Sequence, residues 1–299
     1  MSDLVTAKLP TLNATGELRD VLVATRTTII PGMSRDAYFA EVGLNPSSLA
    51  AGIQRDRFTP LFVKDAYEDK VDSTQDHFVN GTLCHMLCFE PQRVPTDVAI
   101  WKGGRRAGNL WNAFTFMNAG KLIVKEDSYK EAVESLLPLV TLPEFCEYTA
   151  AGQAEVAVFA EICGMQCRGQ LDWISTSEPS LWDLKTARDI EPEAFGKQFF
   201  SLHYDVKMAM YRQMLRINKL PVDDLFIAAI RNKKPWDAIL YPIPDAVLDL
   251  GWEKAEEAIE TMKECITKDV YPGAGGGKAF GDLFVPDYVM QQREIDWSA

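Results

Sequence analysis

Little in this chain points to a membrane, an export route or a disulfide-stapled scaffold. No run of 18 apolar residues occurs, and the opening Met1-Ser-Asp-Leu lacks the basic and apolar regions of a signal peptide. The expectation is a soluble cytoplasmic protein that works without a membrane. Cysteine is sparse, and six in 299 residues do not make a disulfide framework. Cys84 and Cys88 flank His85 on an expected helix, where core packing accounts for them. Cys163 and Cys167 flank an expected hairpin tip, with no matching second pair to complete a zinc or iron–sulfur site. Both metals are therefore rejected. Positive charge is also short: 31 Lys plus Arg against 43 Asp plus Glu give a net charge of −12. That excludes a generally basic nucleic-acid coat, while leaving room for a locally basic groove. No internal repeat is visible.

What is present is one large domain's worth of chain, 47 % apolar and 25 % charged, organised around residues 155–185. Two turn signals, Cys163-Gly164 and Ser175 to Ser180, leave three short segments rich in Val, Ile, Phe, Leu and Trp. They read as an antiparallel meander. A two-residue loop at Cys163-Gly164 pairs Ile162 with Met165 and sets Glu155 opposite Asp172. A second turn centred between Ser177 and Glu178 sets Asp172 opposite Asp183. Alternation puts Asp183 and Lys185 on one face and points Leu184 into the core. Opposed like charges destabilise a sheet, so a row of Glu155, Asp172 and Asp183 calls for a cation such as Mg²⁺, which takes carboxylate and phosphate oxygens. Three unrelated strand acids facing solvent is the alternative that the register leaves open.

The rest of the chain supplies helices around this meander. Residues 1–33 show no clear helical period and read as an N-terminal arm packed on the body or on a neighbouring subunit. Ser34 and Asn45 are cap candidates for two helices, the second with Pro46 in its first turn. Lys64 to Lys70 is charged and reads as an exposed connection. Asp76 to Glu90 is an expected helix stopped by Pro91; it carries His85, which on an apolar helix is by default a satisfied core histidine. The stretch Lys102-Gly-Gly-Arg105-Arg106-Ala-Gly-Asn-Leu-Trp111 is the most basic short loop, suited to phosphate or simply solvated. Further helices are expected at 127–139, from Glu193 to Arg216, and from Val247 to Lys268, with a hairpin from Leu225 to Ile243. On the second of them Lys207 and Tyr211 share a face. The order β-β-β-α-β-β-α, preceded by helices, describes an α/β (α+β) mixed sheet flanked by helices. The segment from Pro272 to Ala279 imitates a P-loop but has Pro272 for the first glycine, Ala279 for Ser or Thr, and no preceding strand. It reads as a mobile tail loop.

Asp172 followed by Asp183-Leu184-Lys185 resembles the PD-(D/E)xK nuclease signature, with Leu171 where the signature has proline. The wider contexts GQLDWI, LWDLKTARDI, HYDVKMAMYRQ and Gly81 to Pro91 are similar to RecE-type exodeoxyribonucleases (exonuclease VIII), relatives of RecB-type and lambda exonuclease domains. The likeness runs from about Ser34 to Pro286. It implies an exonuclease domain over 34–286 and a C-terminal tail over 287–299. It also implies two Mg²⁺ ions, for which Mn²⁺ can substitute: Asp172 bridges them, Asp183 and the Leu184 carbonyl hold the first, and Glu155 and His85 complete the second. Lys185 would orient water or stabilise charge on the scissile phosphate, and Tyr211 belongs to the catalytic set. Lys102, Arg105, Arg106 and Lys207 are the candidate DNA contacts; Lys207 stands where the family usually has glutamine. The substrate implied is a double-stranded DNA end, digested 5′ to 3′ by a homo-oligomeric ring that hands a 3′ overhang to a RecT-like single-strand annealing protein. An endonuclease on the same core, or a silent DNA-binding or assembly protein, are the alternatives.

Overall fold

The computed structural model describes residues 18–22, 26–54, 57–68, 76–220 and 222–278. Most of the N-terminal arm and the expected tail at 287–299 lie outside these. A 3-10 turn at Leu18–Leu22 and strand β1 (Thr28–Ile30) come first. Ser34 and Asn45 cap α1 (Arg35–Ala40) and α2 (Pro46–Gly52), their side chains accepting from the Ala37 and Ser48 amides at 3.2 and 2.8 Å. A short pair, β2 (Ile53–Gln54) and β3 (Arg57–Phe58), leads into α3 (Pro60–Glu68). Lys64 to Glu68 is helical rather than a connection, because Pro60 opens a turn whose Val63 is fully buried.

Helix α4 (Asp76–Phe89) ends before Pro91, and α5 (Val94–Asp97) follows. Next comes a small parallel unit absent from the sequence reading: β4 (Val98–Trp101), α6 (Asn109–Met117) and β5 (Leu122–Lys125). Helices α7 (Glu126–Val140) and α8 (Pro143–Tyr148) lead to the meander of β6 (Gly152–Ile162), β7 (Met165–Ser175) and β8 (Ser180–Ala187). The helical run after it is two helices, α9 (Pro192–Ser201) and α10 (Tyr204–Ile217), separated where His203 adopts φ +52°. Strands β9 (Asp224–Arg231) and β10 (Ala238–Pro242) form the expected hairpin, and α11 (Asp245–Lys268) is the long helix.

The main sheet has the order β1-β6-β7-β8-β9-β10 and is mixed: β8 and β9 run parallel, and its other neighbours antiparallel. A parallel pair needs a long crossover, and α9 and α10 provide it. Each face of the sheet is covered. Val156, Val158, Leu181 and Ile227 pack with Met210, Met214 and Ile259 of α10 and α11. Trp182, Leu184, Ala228 and Ile230 pack with Leu83, Leu136 and Phe145 of α4, α7 and α8. Burial on both faces is why these strands read as near-continuous apolar runs rather than clean alternations. No described helix is long and apolar enough to cross a membrane.

Candidate active site

Two backbone irregularities in the meander create the site. Cys163 (φ +51°) and Gly164 (φ +74°) form the two-residue turn, with Ile162 paired to Met165. Along that ladder Ala154 pairs with Trp173 and Val156 with Leu171, which sets Glu155 across from Asp172. Glu155 itself adopts φ +49°, and the regular ladder skips this one step. Around it the hairpin changes face: Ala154 and Trp173 pack with α4 and α7, while Val156 and Leu171 pack with α10 and α11. The next ladder stops at the same level. β7 and β8 pair only at Trp173–Trp182 and Ile174–Leu181, one step short of Asp172 and Asp183. Into that opening Asp172 sends its Oδ2, which accepts from the Leu184 amide at 2.8 Å.

Helix α4 supplies the next group. His85 Nδ1 lies 3.2 Å from the same Asp172 oxygen, so this histidine belongs to a polar cluster rather than to the core. Ligand atoms of His85, Glu155 and Asp172 all fall within 4.8 Å of one another. Two carboxylates and one imidazole are a donor set that fits a divalent ion, the oxygens suiting Mg²⁺ or Mn²⁺ and the nitrogen favouring the transition metal.

Asp183 sits apart from this cluster, on the α10 side of the sheet. Asp183 is 1 % exposed, and each of its oxygens meets a lysine: Lys207 Nζ donates to Oδ1 at 2.8 Å and Lys185 Nζ to Oδ2. Burial by itself raises the Asp183 pKa, but the two ammonium groups outweigh it and hold the carboxyl well below the usual range. Lys185 is pulled the other way. Its burial and the neighbouring Lys207 charge lower its pKa more than Asp183 raises it. The Lys185 ammonium also stands 5.1 Å over the Tyr204 ring.

The remaining candidates divide. Lys207 is the second cation on Asp183, half-buried at the edge of a cleft, and lies 5.4 Å from the Tyr211 ring. Tyr211 is buried, donates its hydroxyl to the Gln170 carbonyl at 2.9 Å, and has its pKa pushed up by that burial. It braces β7 from α10. The Leu184 amide serves Asp172, while its carbonyl lies 3.4 Å from Lys185 Nζ. Lys102, Arg105 and Arg106 lie on the loop between β4 and α6. Sequence reasoning missed Tyr204 and His203, which with Lys185, Lys207 and Lys254 line a cleft of about 820 Å³. The left-handed break at His203 aims this corner of the chain, and it falls inside what the sequence presents as one helix from Glu193 to Arg216.

The chain has no match among curated proteins. Among solved structures it resembles a candidate exonuclease from Eubacterium rectale, with 14 % identity and a TM-score of 0.59, over 88 % of this chain and 98 % of that one. SSO0001 matches at 17 % identity over 49 % of this chain and 73 % of that one, but its TM-score of 0.28 carries no structural argument. The first likeness is one of fold. It agrees with the mixed sheet flanked by helices. A family model described as a PDDEXK-like domain of unknown function (DUF3799) matches residues 62–280, and the chain belongs to that family.

Proposed function

We propose that the protein is a divalent-metal-dependent exodeoxyribonuclease that shortens double-stranded DNA from its ends. The observation that carries this reading is the convergence of His85, Glu155 and Asp172 within 4.8 Å at the opening between β7 and β8. Asp183-Leu184-Lys185 forms the adjoining edge of that opening. The solved structure of similar fold, itself described as a candidate exonuclease, supports the choice of an exonuclease.

His85, Glu155 and Asp172 would hold the ion, which would neutralise charge developing on phosphoryl oxygens and favour ionisation of the attacking water. The Leu184 amide fixes the Asp172 carboxylate, so one ligand is oriented before any ion arrives. Lys185 stands beside the carboxylates, where burial lowers its pKa from the usual lysine value; its Nζ would orient the attacking water or offset charge on the phosphate. Asp183 positions Lys185, and Lys207 keeps Asp183 ionised. The finer reading is digestion 5′ to 3′ by a ring of subunits, yielding a 3′ overhang for a RecT-like annealing protein. Its support is the RecE-type resemblance.

Incubation with end-labelled linear and closed circular duplexes, with Mg²⁺, Mn²⁺ or chelator, tests the central claim. Metal-dependent loss of linear DNA with circles untouched is expected. Cleavage of circles would identify an endonuclease, and no cleavage of either would reject the reading. Labels at the 5′ or 3′ end read polarity directly. Sedimentation at micromolar concentration tests the ring, which a processive monomer would rule out.

A further inference from the structure

The β4–α6–β5 unit has a composition unlike the rest of this acidic chain. Between Asp97 and Glu126 there is no Asp or Glu, while Lys102, Arg105, Arg106, Lys121 and Lys125 all fall in that interval. All but the half-buried Arg106 are exposed. The unit also holds the most exposed large apolar side chains among the described residues: Leu110 at 80 %, Phe116 at 85 % and Met117 at 77 %. Leu110 and Met117 are seven apart on α6 and so share a face, with Phe114 between them. Three rings of the unit pack together: Trp101 against Trp111 at 5.3 Å and against Phe114 at 5.0 Å between centroids. The Arg106 guanidinium lies 5.7 Å from the Trp111 ring. The β4–α6 loop joins cations to aromatics, and Gly108 (φ +83°) swings the chain from it into the helix.

We propose that this unit is a binding platform for a single DNA strand, taking phosphates on the loop arginines and lysines and bases on the exposed Phe116 ring and apolar side chains of α6. The proposal rests on the reading of the chain as a DNA exonuclease, and identifies where that enzyme grips an unpaired strand. Charge complementarity selects the ligand: in a molecule of net charge −12, an acid-free basic surface favours a polyanion. The exposed Phe116 selects its form. A base offers a stacking face only when unpaired or at a duplex end, because within a continuous duplex the base faces are covered by one another.

Anisotropy of a labelled 20-mer oligodeoxythymidylate, measured with the full chain in chelator, tests this without catalysis. The wild type is expected to bind it at least about tenfold more tightly than closed circular duplex. Phe116→Ala, at a side chain too exposed to support the fold, is expected to raise Kd about fivefold or more while leaving the salt dependence unchanged, the signature of a lost stack. Arg105→Ala is expected to lower the slope of log Kd against log salt by about 0.7, the signature of one lost phosphate contact on a single strand. Lys197→Ala, another exposed cation, is the control for general charge. Wild-type affinity and slope in both α6-unit variants would overturn the platform. So would equal affinity for circular duplex, or anionic phospholipid vesicles competing the oligonucleotide away. Failure of the exonuclease reading looks different: no cleavage of linear duplex, yet oligonucleotide binding that Phe116→Ala and Arg105→Ala still weaken.

Discussion

Asp183 carries more electrostatic tension than any other residue in the candidate site. A carboxylate buried to 1 % exposure is tolerable only because Lys185 and Lys207 each take one of its oxygens. Removing one partner of a buried pair leaves the other charge uncompensated, at a cost of about 3 kcal/mol or more. Asp183→Asn would leave two such ammonium groups. It should therefore lose about that much stability in urea unfolding, in addition to cleavage. Lys185→Ala leaves Asp183 paired with Lys207, so it is the cleaner probe of chemistry. Its cleavage of linear DNA should fall at least ~100-fold, the scale of losing one group that stabilises developing charge. Near-normal cleavage by folded Lys185→Ala would reject the assignment. Lys207→Gln keeps the Lys185–Asp183 pair and should remain within a few fold of wild type; complete loss would give that lysine a catalytic role of its own. At this scale the register of Asp172 and Asp183 was legible because counting outwards from the two turns of the meander fixes it. The partnership of Lys207 with Asp183 was not, since it depends on where α10 docks, which no local pattern encodes.

Among the elements, the β6–β7 hairpin was the most readable and the β4–α6–β5 unit the least. A Cys-Gly dipeptide between apolar segments marks a two-residue turn, and the 3.6-residue periods of α7 and α11 mark long helices. Strands of four residues, such as Val98–Trp101 and Leu122–Lys125, are too short to show a period, and their pairing is parallel across a crossover. The conformation of Glu155 was equally hidden, because a left-handed glutamate inside a strand has no compositional sign. The hairpin also makes a prediction of its own. Both turn residues have positive φ, which costs an ordinary L-residue about 1 kcal/mol and asparagine much less. Cys163→Asn should raise stability by about that amount while retaining the carbonyl that accepts from Lys263 Nζ at 2.7 Å. Activity should not change. A variant no more stable than wild type in urea would mean that the turn's geometry is not what limits it.

For the molecule as a whole, the metal cluster ties function to stability. Glu155 and Asp172 face each other across a ladder step that the strands leave open, with His85 closing the group from a helix distant in sequence. An ion bound only by the folded chain must stabilise it, by about 2.7 kcal/mol at a hundredfold excess over Kd. The wild type should show a saturable rise in Tm with either Mg²⁺ or Mn²⁺. Mn²⁺ should saturate at lower concentration, because the imidazole suits it better. Asp172→Asn removes one carboxylate while leaving a carbonyl oxygen that can still accept from the Leu184 amide. Its metal-free form should then melt no lower than wild type, and its metal-induced rise should shrink. Glu256→Gln, a change outside the cluster, should keep the full rise. Asp183→Asn separates the two kinds of acid in this site: it should melt lower without metal, since it strands two lysines, yet keep most of its metal response, since Asp183 stands outside the His85–Glu155–Asp172 group. A metal response abolished by Asp183→Asn and spared by Asp172→Asn would reverse the assignment and move the ion to the lysine side of the sheet.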